Sequence, residues 1–158
     1  MIKIGIGYDV HKLHKGNAIK IGGVNIPANV SSVGHSDGDA LCHAIVDALL
    51  GAAGLGDIGK FFPNNNKWRG AQSKVFLIDS LARIKNGGYK INNVDATIIL
   101  QTPRLENYII PIRKELSKTM DLDETKINIK ATTTDGLGTI GDGLGWAVLA
   151  VVSLIQLS

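Results

Sequence analysis

The apolar residues of this chain keep two different periods, and the change falls at Asp37. Residues 2 to 14 alternate as a half-buried strand does, and Ala18 to Pro27 alternate again after a turn around Lys15-Gly16-Asn17, which predicts an antiparallel pair. Beyond Asp37, Leu41, Ile45, Ala48, Leu49 and Ala52 recur at helical spacing, with Gly54 and Gly56 as stop signals, so a helix is predicted over about 38 to 53. A chain that mixes both periods lays helices against a sheet, and the expected class is α+β or α/β with one sheet.

The same reading carries to residue 157. Pro63 and the asparagines make 57 to 66 a loop, and a second helix is predicted from Ala71 to about Asn86, ended by Gly87-Gly88. Ala96 to Leu100 reads as a buried strand, and Thr102-Pro103 as a turn. A third helix is predicted over Tyr108 to Met120, with Pro111 in its first turn, and then a strand over Lys126 to Thr132. Thr133 to Gly145 is glycine-rich, and the apolar run Trp146 to Gln156 reads as a buried last helix. Leu144 to Leu157 falls short of the ~20 residues that cross a bilayer, so no membrane partner is expected. With neither repeat nor linker in 158 residues, one domain over 1–158 is expected.

Composition narrows the classes further. With 44% hydrophobic and 20% charged residues the chain has the material for a core and lacks the signature of disorder. The net charge of +3 is scattered, without a basic run beside aromatics, which argues against a nucleic-acid partner. Cys42, the only cysteine, excludes an intrachain disulfide and a multi-thiolate zinc site; it reads as a core residue in a reducing compartment. The opening residues lack the basic and long apolar segments of a signal peptide, so a cytoplasmic location is expected, or a plastid stroma had a transit peptide been removed.

Chemistry concentrates in two short segments. In Gly7-Tyr8-Asp9-Val10-His11, Asp9 and His11 project from the same face of a strand. Alone, such a pair also fits a surface turn or a cap. In the predicted helix, Asp39, His43 and Asp47 fall at i, i+4 and i+8 on one face. Asp39 is read as part of a solvated face, His43 as a third metal ligand, and Asp47 as the group that takes the proton on the second His43 nitrogen. One carboxylate and two imidazoles suit Zn²⁺ and leave the fourth tetrahedral position open for a substrate oxygen. His14, three residues from His11, lies on the opposite face of the strand and is left out.

Six blocks in order resemble the 2-C-methyl-D-erythritol 2,4-cyclodiphosphate synthases of the non-mevalonate isoprenoid pathway. They are Gly7-Tyr8-Asp9-Val10-His11, Gly22-Gly23-Val24-Asn25-Ile26-Pro27, His35-Ser36-Asp37-Gly38-Asp39, Leu55-Gly56-Asp57-Ile58-Gly59-Lys60, Asn93-Val94-Asp95-Ala96-Thr97-Ile98 and Lys130-Ala131-Thr132-Thr133-Thr134-Asp135. The resemblance implies a mixed sheet with helices on one face and a homotrimer with active sites at its subunit interfaces. It implies zinc on Asp9, His11 and His43, and a second cation, Mg²⁺ or Mn²⁺, on Asp135, where the family usually has Glu. The implied reaction is intramolecular: the 2-phosphate of 4-diphosphocytidyl-2-C-methyl-D-erythritol 2-phosphate attacks the β-phosphorus and expels CMP.

The resemblance also implies residue roles. His35 and Thr133 would stabilise the transition state, His35 and Ser36 would hold the 2-phosphate, and Asp57 and Gly59, with Ile58 between them, would bind the erythritol hydroxyls. Leu100, Gln101, Thr102, Pro103, Arg104, Leu105 and Glu106 would form the cytosine pocket. Asp9, Val10 and His11, then Phe62, Pro63, Asn64, Asn65 and Asn66, then Ala131, Thr132, Thr134 and Asp135, and finally Thr139 and Asp142 complete the implied substrate contacts. Asn64 stands where the family usually has Asp. Thr139, Asp142 and Leu144 stand where it often has an aromatic, an Arg and a Glu. That Arg is associated with binding an isoprenoid diphosphate on the trimer axis, so three Asp142 carboxylates there would repel such a ligand. Two rival readings of the zinc site are a hydrolase that activates water and a binding module with structural zinc, although structural zinc normally has four protein ligands.

Overall fold

The computed structural model describes residues 1–157. In chain order its strands and helices are β1 (Ile2–Lys15), β2 (Ala18–Ile21), β3 (Val24–Pro27), β4 (Val30–Val33), α1 (Ala40–Ala53), α2 (Ile58–Phe61), α3 (Ser73–Asn86), β5 (Tyr89–Ile99), α4 (Ile109–Met120), β6 (Ile127–Thr132), α5 (Gly138–Gly141) and β7 (Gly145–Gln156). Five strands form a mixed sheet in the order β4-β1-β7-β5-β6. The β5–β6 pair alone is parallel, and α4 makes the crossover that parallel neighbours require.

Two expectations from periodicity change here. The segment 18–27 does not pair with β1. It folds on itself as the β2–β3 hairpin, because Gly22 and Gly23 both take positive φ (59° and 83°), the pattern of a two-residue turn whose twist matches its strands. The segment 146–156 is a strand, not a helix: β7 pairs with β1 along one edge and with β5 along the other. Its outward Leu149 and Val151 are as apolar as its inward Val148, Ala150 and Val152, so its two-residue period is hidden. Its β-branched Val148, Val151, Val152 and Ile155 suit a sheet.

One face of the sheet carries the core. The odd residues of β1 point at α1, and Gly5 and Gly7 let the helix backbone lie directly on the strand: a Cβ on Gly7 would overlap the Ala44 carbonyl oxygen, and one on Gly5 that of Ala48. Leu41, Ile45 and Leu49 of α1 are fully buried, as are Val148, Ala150 and Val152 of β7. Trp146 is also fully buried, and its indole N–H donates to Ser32 Oγ on β4 at 2.8 Å. Pro111 lies in the first turn of α4, where the absent N–H matters least.

The opposite face is apolar and bare. Ile2, Ile4, Ile6, Tyr8 and Val10 of β1 remain 53–70% exposed, beside Leu149 and Val151 of β7.

Candidate active site

β1 and α1 together bring Asp9, His11 and His43 to one point. Asp9 Oδ2 lies 2.9 Å from His11 Nδ1 and 3.2 Å from His43 Nδ1. Three ligand atoms at ~2.0–2.1 Å around a tetrahedral ion would stand about 3.3 Å apart, so these separations suit one cation. His11 Nδ1 is buried and has no hydrogen-bond partner, because its approach to Asp9 is misaligned for one. A metal ion would satisfy that nitrogen, and the residues fit zinc. Burial alone would raise the Asp9 carboxyl, but the two imidazoles facing it outweigh burial and hold it below its ordinary value. Among the described residues this is the one group of three or more His, Cys, Asp and Glu with metal-ligand spacing. His14 sits exposed, paired across the sheet with Ser31.

The second nitrogen of His43 departs from expectation. Asp47 does not meet it: Asp47 Oδ1 accepts the Ile58 N–H at 2.7 Å, which fastens the Asp57–Gly59 segment to α1. Burial raises the Asp47 carboxyl above its ordinary value. His43 Nε2 lies instead 2.8 Å from Ser73 Oγ, the first residue of α3, and 3.1 Å from Ser36 Oγ. Ser73 was invisible from sequence, since nothing in its spacing relates it to a histidine thirty residues earlier.

Asp39 is a correction as well. The helical stripe predicts a solvated carboxylate, yet Asp39 is fully buried at the N-cap of α1. It accepts the backbone N–H groups of Gly22 (2.9 Å), Gly23 (2.7 Å) and Cys42 (3.1 Å), so it ties the β2–β3 turn to the helix.

A second concavity lies at the far ends of β5 and β6. Leu100, Gln101, Pro103, Arg104, Leu105, Glu106, Ile109, Ala131, Thr132 and Thr133 line a cavity of about 460 Å³. It brings together two segments distant in sequence, and it shares no lining residue with the Asp9–His11–His43 group. Beyond it Asp135 takes a left-handed φ of 56°, which Asp tolerates better than a longer side chain does, and its N–H donates to Thr133 Oγ1 at 3.2 Å. A single exposed carboxylate suits a cation that keeps waters and takes its other ligands from phosphates, as Mg²⁺ does. His35 is half-buried, and its carbonyl accepts Gly70 N–H at 2.8 Å. Asn64, Asn65 and Asn66 are exposed on the loop after Phe62, which stacks on Phe76. Thr139 and Asp142, both exposed, belong to or cap α5.

Comparison with known proteins decides the family. The YgbB family model matches residues 2–155. This chain belongs to the YgbB family. The YgbB chain is 50% identical over 155 residues to the 2-C-methyl-D-erythritol 2,4-cyclodiphosphate synthase of Clostridium acetobutylicum, covering 98% of this chain and 100% of that protein. Among solved structures, the bifunctional IspDF of Campylobacter jejuni superposes with a TM-score of 0.96 at 38% identity; the match takes in 100% of the YgbB chain and 43% of that longer one. The Plasmodium falciparum IspF–CDP complex superposes with a TM-score of 0.88 at 38% identity, over 99% of this chain and 97% of that one.

Proposed function

We propose that the chain converts 4-diphosphocytidyl-2-C-methyl-D-erythritol 2-phosphate into 2-C-methyl-D-erythritol 2,4-cyclodiphosphate and CMP, as a phosphorus–oxygen lyase of isoprenoid precursor biosynthesis in the cytoplasm. The observation that carries this reading is the convergence of Asp9, His11 and His43 in a chain of the YgbB family. Zn²⁺ on those three side chains, with Mg²⁺ or Mn²⁺ at Asp135, would supply Lewis-acid charge to the diphosphate.

The remaining work is positioning. His35 and Ser36 hold the 2-phosphate, while Asp57, Ile58 and Gly59, fastened by Asp47, orient the erythritol hydroxyls with Asn64 and its neighbours. The 100–106 and 131–134 segments take the cytidine into their shared cavity, where backbone groups read the base. Thr133 and His35 direct hydrogen-bond donors at the charge that develops on the transferring phosphoryl group. The attacking 2-phosphate oxygen forms a bond to the β-phosphorus as the bond from that phosphorus to the α–β bridging oxygen breaks, and CMP leaves with that oxygen. No water enters the balance.

The working form is a homotrimer with its sites at subunit interfaces. Two observations support this: the contiguous apolar side chains that β1 and β7 leave exposed on one face, and the absence of a shared lining residue between the metal group and the cytidine cavity. Thr139, Asp142 and Leu144 would leave the trimer axis unsuited to an isoprenoid diphosphate. The test is ³¹P NMR of the protein with substrate and Mg²⁺ beside His43→Ala. A cyclic diphosphate with CMP, lost in the variant, is expected; a linear diphosphate would make the enzyme a hydrolase.

A further inference from the structure

Outside the three metal ligands, one set of polar side chains packs on the metal centre from behind. Ser73 is fully buried at the start of α3, with Oγ 2.8 Å from His43 Nε2. The same hydroxyl donates a short hydrogen bond to Asp37 Oδ1, and the Ser73 N–H donates to Asp37 Oδ2 at 3.1 Å. Lys20 Nζ stands 3.4 Å from that second oxygen. Phe76, one turn further along α3, packs its ring near that of His43, with centroids 6.0 Å apart.

This arrangement favours one placement of the protons. An ionised carboxylate only accepts, so the single Ser73 hydroxyl proton goes to Asp37. Oγ then offers His43 only lone pairs, so Nε2 is the ring nitrogen suited to donate to it. Nδ1 is the ring nitrogen that faces Asp9 Oδ2, 3.2 Å away. Zinc would bind at that nitrogen beside the carboxylate, and the outer hydrogen bond keeps the ring in the tautomer that accepts a cation there.

We propose that Asp37 and Ser73 are positioning residues that lock His43 as its Nε2–H tautomer and so prepare Nδ1 to bind zinc. Ser36 Oγ, 3.1 Å from the same nitrogen, takes a minor share of that proton and couples the lock to the substrate side. The inference rests on the zinc-site reading of Asp9, His11 and His43.

The test uses zinc-free, ¹⁵N-histidine-labelled full-length protein and reads two quantities. Long-range ¹H–¹⁵N spectra report the His43 tautomer, and competition with a chromogenic chelator reports the zinc Kd. The wild type is expected to keep the proton on His43 Nε2 and to bind one zinc per chain. Ser73→Ala is expected to mix the tautomers and weaken zinc binding roughly 10- to 100-fold with the fold unchanged by circular dichroism. Asp37→Asn, which keeps the size of the side chain, should weaken binding in the same direction and serves where Ser73→Ala does not fold. An unmixed tautomer with wild-type zinc affinity in whichever folded variant is measured overturns the proposal. A wild type that takes up no zinc overturns the metal site itself and with it this inference, whereas normal wild-type uptake with an unaffected Ser73→Ala overturns the lock alone.

Discussion

Gly7 of β1 lies directly beneath the Ala44 carbonyl of α1, with no room for a side chain between them. Residue 44 is the immediate neighbour of His43, so this close approach is what lowers the histidine onto Asp9 and His11. Gly7→Ala must push the helix off the strand, which costs roughly 3 kcal/mol or more, and the same displacement opens the metal centre. Urea denaturation and a zinc titration should both register the change. Gly51→Ala on the same helix is the contrast: its added Cβ would reach only Ile6 O, at 4.0 Å. Relief of glycine's helix penalty there should stabilise the chain by about 0.5–1 kcal/mol, and a loss of stability instead would mean that α1 tolerates less than its packing implies.

Asp39 accepts hydrogen bonds from three backbone N–H groups, those of Gly22, Gly23 and Cys42. Asp39→Ala removes an N-cap and leaves buried donors unsatisfied, which together predict a loss of ~3 kcal/mol. The loss should appear in denaturation at fixed protein concentration, with hydrogen exchange accelerated first at Gly22, Gly23 and Cys42. Uniform acceleration across the sheet would contradict a local role.

How far these features could be read from sequence depends on how local their causes are. The first long helix, the buried strand before Leu100 and the glycine stops are set by neighbours within a few residues, and they stand where periodicity puts them. Asp9 and His11 needed only the two-residue repeat of a strand. β7 was misread because its outward Leu149 and Val151 are as apolar as its inward Val148, Ala150 and Val152, which removes the polar alternation that would reveal a strand. Asp39 and Asp47 were misread because a helical stripe says which residues share a face and nothing about what packs on that face. Their partners, the Gly22-Gly23 turn and Ile58, arrive by tertiary folding, as Ser73 does at His43.

If the bare face of the sheet closes a trimer, a charge at its centre should open it. Ile6→Glu places a carboxylate among Ile4, Tyr8 and Val151, at a position that is 67% exposed in the single chain and would be dry in the assembly. Light scattering should show the mass falling from threefold to the 16.8 kDa of one chain. Zinc binding should survive, since its ligands all lie on one chain, while CMP release is lost. A variant that remains trimeric would exclude this face as the interface.

The edge of the same face carries a pH-dependent pair. Asp95 on β5 accepts hydrogen bonds from Lys130 and Asn128 on the parallel neighbour β6. The Lys130 bond, more than the Asn128 bond, holds its carboxyl below the ordinary value of 3.8. A carboxyl lowered in the folded chain contributes stability above the unfolded value and loses it as pH falls through the lowered one. The contribution is therefore complete at neutral pH and disappears below about pH 3.8. Both side chains are more than a third exposed (38% and 47%), so solvent screening keeps it under ~1 kcal/mol. A ¹³C titration of the Asp95 carboxyl should show its pKa rising toward 3.8 in Lys130→Ala. An unmoved titration would assign the depression to Asn128 and leave the lysine a spectator.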